Sequence, residues 1–95
     1  MKRQKVKQPT LQEVKDACRK IIAARNRTSA VNYAVNYARV MMDIENSIEA
    51  RYYGLQTTIK AQALYTVGNI VHWKAPEAKW VRDVLKRAGK VGVII

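Results

Sequence analysis

The chain has 95 residues, which favours one domain, and its 18 Lys and Arg against 7 Asp and Glu give a formal net charge of +11. Its hydrophobic content of 48% is that of a globular protein, and no apolar run reaches the roughly 18 residues that a membrane-spanning helix needs. One cysteine and one histidine exclude a disulfide framework within the chain and a zinc site built from several of these residues.

The first nine residues carry four bases and, after the initial methionine, a single apolar side chain. Nothing there offsets the entropy cost of ordering the backbone. We therefore predict a flexible basic arm over residues 1–9 and a single helical domain over residues 10–95. Because no apolar stretch follows the bases, the arm is not a signal peptide, and we expect a cytoplasmic protein.

A first helix is predicted over residues 10–25, because Thr10 and Glu13 form the Thr-x-x-Glu pattern of a capping box. Its apolar residues recur at helical spacing: Leu11, Val14, Ala17, Cys18, Ile21 and Ile22. Arg25 and Arg27 follow at the helix end, where cations meet the negative pole of the helix dipole.

A second helix is predicted over residues 29–53, with Thr28 or Ser29 as its N-cap and Gly54 as its stop. It contains the repeat AVNYAVNY, whose four-residue step stacks small side chains on one face. Its apolar residues extend beyond one stripe, as in a buried helix or an oligomer interface. We expect a homodimer formed through this face, with interface residues Ala30, Ala34, Ala38 and Met41. The alternative is that the other helices of the same chain cover it.

A third helix is predicted over residues 57–72 and a fourth over residues 76–88, with Pro76 at its first position and Gly89 closing it. The apolar tail, residues 91–95, forms either a short strand or an extended segment laid on the core. Four helices joined by short loops predict an all-α fold, a compact bundle of about four helices.

Nothing in the sequence points to catalysis. Cys18 lies among apolar positions of the first helix, which is typical of an inert core cysteine, and His72 beside Trp73 is typical of a packing or capping residue. The four glycines match no phosphate-binding loop. We expect no catalytic residue, no metal and no cofactor, and hence a protein that is not an enzyme.

The bases are concentrated toward the two ends of the sequence, whereas residues 28–54 carry two bases and three acids. A pI near 10.2 with grouped bases is typical of nucleic-acid-binding proteins, since neutralising phosphates releases counterions. We predict a non-enzymatic DNA- or RNA-binding protein. The predicted contacts come from the first and fourth helices: Lys15, Arg19, Lys20, Arg25, Arg27, Lys79, Arg82, Lys86 and Arg87.

Two versions of this binding stay open. The segment EAKWVRDVLKRAG resembles the recognition helix of small winged-helix regulators, which reads a major groove. Alternatively, bases of a single strand stack on exposed aromatic rings, with Tyr52, Tyr53, Trp73 and Trp80 as candidates. Charge alone also fits another class of function, a protein-interaction factor that docks on an acidic or nucleic-acid-binding groove of a host protein.

The stretch over residues 62–86, QALYTVGNIVHWKAPEAKWVRDVLK, resembles a pattern in small phage and prophage helical proteins. That pattern is Gln-x-Leu-Tyr, then Asn-Ile-x-x-Trp, then Ala-Lys-x-Val-Arg-x-x-Leu-Lys. The matching positions are Gln62, Leu64, Tyr65, Asn69, Ile70, Trp73, Ala78, Lys79, Val81, Arg82, Leu85 and Lys86. The resemblance implies a phage or mobile-element origin and a location in the host cytoplasm. It also implies the classes found among such proteins: early regulators, anti-defence inhibitors such as anti-CRISPR proteins, and minor assembly factors.

Overall fold

The computed structural model describes residues 6–95, and within them the chain is all-α, as predicted. The elements in chain order are α1 (Leu11–Ala23), α2 (Ser29–Met42), a 3-10 helix (Ile44–Asn46), α3 (Ile48–Tyr53), α4 (Leu55–Gly68) and α5 (Ala78–Val91). No strand forms in the described part of the chain, where one isolated parallel bridge joins Thr10 to Ile94. None of the described helices is both long enough and apolar enough to cross a membrane.

Four helices surround one core: α1 packs on α2 and α5, and α4 packs on the same two helices from the other side. The short α3 packs on α4. The largest fully buried side chains include Ile21, Met41, Ile44, Ile59, Ile70 and Leu85. α5 therefore lies between α1 and α4, and its outer face is left to solvent.

The start of α1 is the predicted capping box. The Glu13 backbone N–H donates to the Thr10 hydroxyl and the Thr10 N–H donates to the Glu13 carboxylate, both at 3.0 Å. This second bond is the main reason why the pKa of Glu13 lies below its usual value.

The predicted second helix over residues 29–53 is wrong, because the chain breaks between α2 and α3. Asp43 leaves helical geometry (φ −127°, ψ 34°), and its carboxylate accepts from the Asn46 amide at 2.7 Å. The Ser47 hydroxyl donates to the Ile44 carbonyl at 2.7 Å and accepts from the Ala50 N–H at 3.1 Å. These short polar side chains bond to nearby groups in place of a continuous helix.

The other predicted helix ends agree with the structure or shift by at most four residues. Gly54 (φ +91°) turns the chain directly into α4, which begins at Leu55 and ends at Gly68. α5 begins at Ala78, after Pro76, and continues through Gly89 to Val91. Gly92, with φ +74°, ends it.

Part of the predicted arm is bound to the domain. The Pro9 carbonyl accepts from the Ile94 N–H at 2.8 Å, and the Gln8 amide donates to the Val91 carbonyl at 2.9 Å. Pro9 is buried by these contacts. For residues 7–9 the expected flexible arm is therefore corrected to a segment held against the apolar tail. Of that predicted tail, Val91 belongs to α5, and residues 92–95 form no strand. Residues 1–5 lie outside the described residues.

Candidate nucleic-acid interface

A basic groove runs along the outside of α1, bounded by α5 and by the connection between α4 and α5. Two adjoining cavities of about 620 and 400 Å³ form it, and both are lined by Lys20 and Ala23. We call it the α1–α5 groove and define it by four bases and two tryptophans: Arg19, Lys20, Arg27, Lys74, Trp73 and Trp80.

The groove is positive because its four bases outnumber its two acids, Asp16 and Glu77. All four bases are exposed. Arg19 donates to the Asp16 carboxylate at 2.6 Å, an ion pair between exposed side chains that water competes for. The Lys20 ammonium lies 5.8 Å from the centroid of the Trp80 ring, within the range of a cation–π contact.

The outer face of α5 forms a second basic surface. Exposed residues follow one another at spacings of four, three and four along this helix: Lys79, Asp83, Lys86 and Lys90. Within residues 6–95, the three lysines form no side-chain hydrogen bond or ion pair, while Asp83 accepts from Arg87 at 3.0 Å. We call these three lysines the α5 stripe. It adjoins the groove, since Lys79 and Trp80 are consecutive residues.

Three of the predicted contact residues form bonds to other groups of their own chain. The Lys15 ammonium is held by both Glu45 carboxylate oxygens at 2.7 and 2.8 Å, and this bond lowers the pKa of Glu45. The Arg82 guanidinium donates to the backbone carbonyls of Ile70, at 3.1 Å, and Trp73.

Arg87 is the third of these residues. It donates to Asp83 through Nε and to the Lys7 carbonyl through Nη1, each at 3.0 Å. It is therefore partly buried and holds the N-terminal segment against α5. Arg87, like Lys15 and Arg82, is bonded within the fold, and its contact with nucleic acid stays a prediction.

The other predicted bases stay available at the surface. Arg19, Lys20 and Arg27 line the groove, and Lys79 and Lys86 belong to the stripe. Arg25 is exposed at the end of α1, where it donates to the Ile22 carbonyl at 3.2 Å. Lys74 was missed by sequence reasoning, although its place beside Trp73 in the connection to α5 was a usable signal.

The predicted homodimer interface is wrong in its location. Ala34, Ala38 and Met41 have no exposed surface, because this face of α2 packs into the core of its own chain. Only Ala30 of the predicted set is exposed. The alternative prediction, that the other helices cover this face, is the one that fits. The homodimer itself stays a prediction.

Cys18 is fully buried among apolar side chains, and desolvation raises the pKa of its thiol to about 12. His72 is exposed. A buried neutral thiol is a poor nucleophile, which fits the interpretation of Cys18 as a core residue. In the described part of the chain, no group of three or more His, Cys, Asp or Glu side chains could hold a metal ion.

We expect Cys18 to resist thiol-reactive reagents in the folded protein. With a pKa of about 12, only about one thiol in 10,000 is ionised near pH 8. An aromatic disulfide reagent should therefore label the native protein at least about 100-fold more slowly than the protein in guanidinium, where the thiol has its usual pKa. Equal labelling rates in the two solutions would contradict the burial of Cys18.

Comparison of the chain with protein-family models, with curated proteins and with solved structures gives no match.

Proposed function

We propose that this small all-α protein binds nucleic acid without catalysing a reaction, through the α1–α5 groove and the adjoining α5 stripe. The observation that supports this most is the concentration of exposed bases on two adjacent surfaces: Arg19, Lys20, Arg27, Lys74, Lys79, Lys86 and Lys90. Bases in such a position release counterions from a phosphate backbone and so supply affinity for DNA or RNA.

The residue types of the α5 stripe favour binding without sequence preference. Base edges are read by the fork of arginine or by the amides of asparagine and glutamine. Apart from Trp80, which lines the groove, the exposed residues of α5 are lysines and one aspartate, because Arg82 and Arg87 are bonded within the fold. Lysines act as point charges toward phosphate, which fixes position but carries no sequence information.

The length of the connection between α4 and α5 argues against the helix-turn-helix alternative. α4 ends at Gly68 and α5 begins at Ala78, so residues 69–77 separate them. A helix-turn-helix joins its helices by a turn of about three or four residues. We therefore favour backbone binding by the two basic surfaces over a recognition helix in the major groove.

The proposal predicts a measurable change in salt dependence. For the Lys86→Ala/Lys90→Ala variant, the slope of log affinity against log salt on duplex DNA should become shallower by about 2, since each neutralised phosphate contributes about −0.9. The control is Arg39→Ala/Arg51→Ala, which removes the same charge from exposed positions on α2 and α3. Binding weaker than about millimolar at low salt, or equal slope changes in both variants, would reject the proposal.

A second candidate function, a protein-interaction factor, is supported by a different surface. The outer faces of α2 and α4 expose apolar and aromatic side chains: Tyr33, Val40 and Tyr65, with Tyr37 and Tyr65 in contact at 5.7 Å between ring centroids. Surfaces rich in tyrosine and poor in charge are typical of protein interfaces. If nucleic acid does not bind, this is the face to alter in a search for a protein partner.

The resemblance of residues 62–86 to small phage and prophage proteins supports a phage or mobile-element origin for either function. Under the first, the protein acts on nucleic acid in the host cytoplasm. Under the second, it acts there as an anti-defence inhibitor or a minor assembly protein.

A further inference from the structure

The α1–α5 groove contains an aromatic feature that phosphate binding does not require. Trp80 is 40% exposed, although it lies on a helix whose other large apolar side chains are mostly buried. Its ring stands beside α1, with Arg19 and Lys20 lining the same cavity. Trp73 lines the adjoining cavity with Lys20, Arg27 and Lys74, although little of its side chain is exposed.

We propose that the α1–α5 groove binds single-stranded nucleic acid, and this inference rests on the proposed function. An unpaired base stacks on the Trp80 indole, while the four bases of the groove hold neighbouring phosphates. The combination of a positive groove with an accessible aromatic ring is the common solution for binding single strands, because every base has a π-face and every nucleotide a phosphate.

Trp80 favours a single strand over a duplex for a geometric reason. In a duplex the faces of the bases are covered by their neighbours, so an indole finds no free face to stack on. A single strand can turn one base toward the ring while its backbone follows the bases of the groove. The two cavities of the groove meet at Lys20 and Ala23, so a strand that enters one can continue into the other.

The contact between Lys20 and Trp80 occupies the face of the indole ring to which a base would bind. In the unbound protein the Lys20 ammonium lies over the indole at 5.8 Å, a contact between two exposed side chains that is weak in water. An arriving nucleotide replaces this contact with a base on the ring and gives the Lys20 ammonium a phosphate. The groove is net positive, with four bases against the two acids Asp16 and Glu77, and this charge favours the bound state.

Tryptophan fluorescence and affinity measure the stacking directly. The full chain is titrated with oligothymidylate, with oligouridylate and with a mixed-sequence duplex of equal length. We expect both single strands to quench the tryptophan emission and to bind more tightly than the duplex. The Trp80→Ala variant should bind the single strands about 5- to 100-fold more weakly, which is the range of one lost base–aromatic stack.

Two further variants separate stacking from an effect on folding. Trp80→Phe keeps an aromatic face and should retain most of the single-strand affinity. Tyr33→Ala removes an aromatic ring that is 64% exposed on α2, outside the groove, and should leave the affinity unchanged. Circular dichroism of each variant establishes that it is folded before binding is measured.

The outcomes distinguish this inference from the function on which it rests. If the duplex binds at least as tightly as the single strands, or if folded Trp80→Ala binds single strands as the unaltered protein does, the inference is overturned while nucleic-acid binding stands. If neither form binds, the proposed function itself fails. Tighter binding of either oligothymidylate or oligouridylate than of the duplex supports the inference.

Discussion

Replacing Arg82 with alanine is expected to lower the free energy of unfolding by about 3 kcal/mol. The guanidinium donates to the carbonyls of Ile70 and Trp73, which belong to the turn that follows α4. Without the guanidinium, these partly buried carbonyl oxygens lose their hydrogen-bond donor. Each hydrogen bond to a charged group contributes about 1.5–3 kcal/mol to stability. The turn also places Trp73 against the core, so its loosening loses apolar burial as well.

Urea unfolding followed by far-ultraviolet circular dichroism measures this effect. Lys86→Ala is the matched control, because it removes one base from the exposed face of the same helix and should change stability by less than about 0.5 kcal/mol. Arg82→Lys keeps the charge, but its shorter side chain does not place a nitrogen where Arg82 Nη1 donates both bonds, so it should recover only part of the loss. Equal stabilities of Arg82→Ala and Lys86→Ala would contradict this role for Arg82.

This role of Arg82 affects how binding experiments are interpreted. Trp73 and Lys74 line the α1–α5 groove, and the Arg82 guanidinium holds the carbonyl of Trp73. A weaker affinity of Arg82→Ala for nucleic acid would therefore result from displacement of Trp73 and Lys74 in the groove, and would not show that Arg82 contacts phosphate. Tests of phosphate contact belong on the exposed lysines of the α5 stripe.

The secondary structure was predictable wherever its signal is local. The Thr10 capping box, the Thr28 cap of α2 and the apolar spacing of α1 involve residues within one or two turns of each other, and the structure has all three. The break at Asp43 was missed because apolar residues continue across it at helical spacing as far as Ile48. There the hydrogen bonds of Ser47 decide against the helix that the pattern favours.

The candidate site was predictable only in part, because the partners of its bases lie far away in sequence. Lys15 pairs with Glu45, thirty residues on, and Arg82 donates to Ile70, twelve residues back. Helical spacing identifies which bases face outward on one helix but says nothing about a neighbouring helix or turn. The same limit explains the alanine face of α2, since small residues at a four-residue step fit a buried contact as well as a dimer interface.

Gly92 offers the second large effect, because its replacement by alanine combines backbone strain with a steric clash. Its φ of +74° and ψ of −157° lie in a region that is open essentially only to glycine. A Cβ there would overlap the Gln56 amide oxygen and lie 3.2 Å from its Cδ. That amide accepts from the Val93 N–H at 2.9 Å and donates to the Val93 carbonyl at 2.7 Å, so the clash breaks the link between α4 and the tail.

We expect Gly92→Ala to lower the free energy of unfolding by about 4 kcal/mol, of which about 2 come from the backbone and the rest from the two lost hydrogen bonds. Gly54→Ala is the matched control, since Gly54 has a φ of +91° and open space around a built Cβ. It should lower the free energy of unfolding only by the backbone contribution of about 2 kcal/mol. In a Gln56→Ala background the cost of Gly92→Ala should fall to the Gly54→Ala value, because no amide remains to be displaced. If the cost stays the same in that background, the tail is not held by Gln56.

The same substitution should also loosen the start of α1, because the Ile94 carbonyl of the tail accepts from the Leu11 N–H at 3.0 Å. We therefore expect faster amide hydrogen exchange at Leu11 in Gly92→Ala than in the unaltered protein.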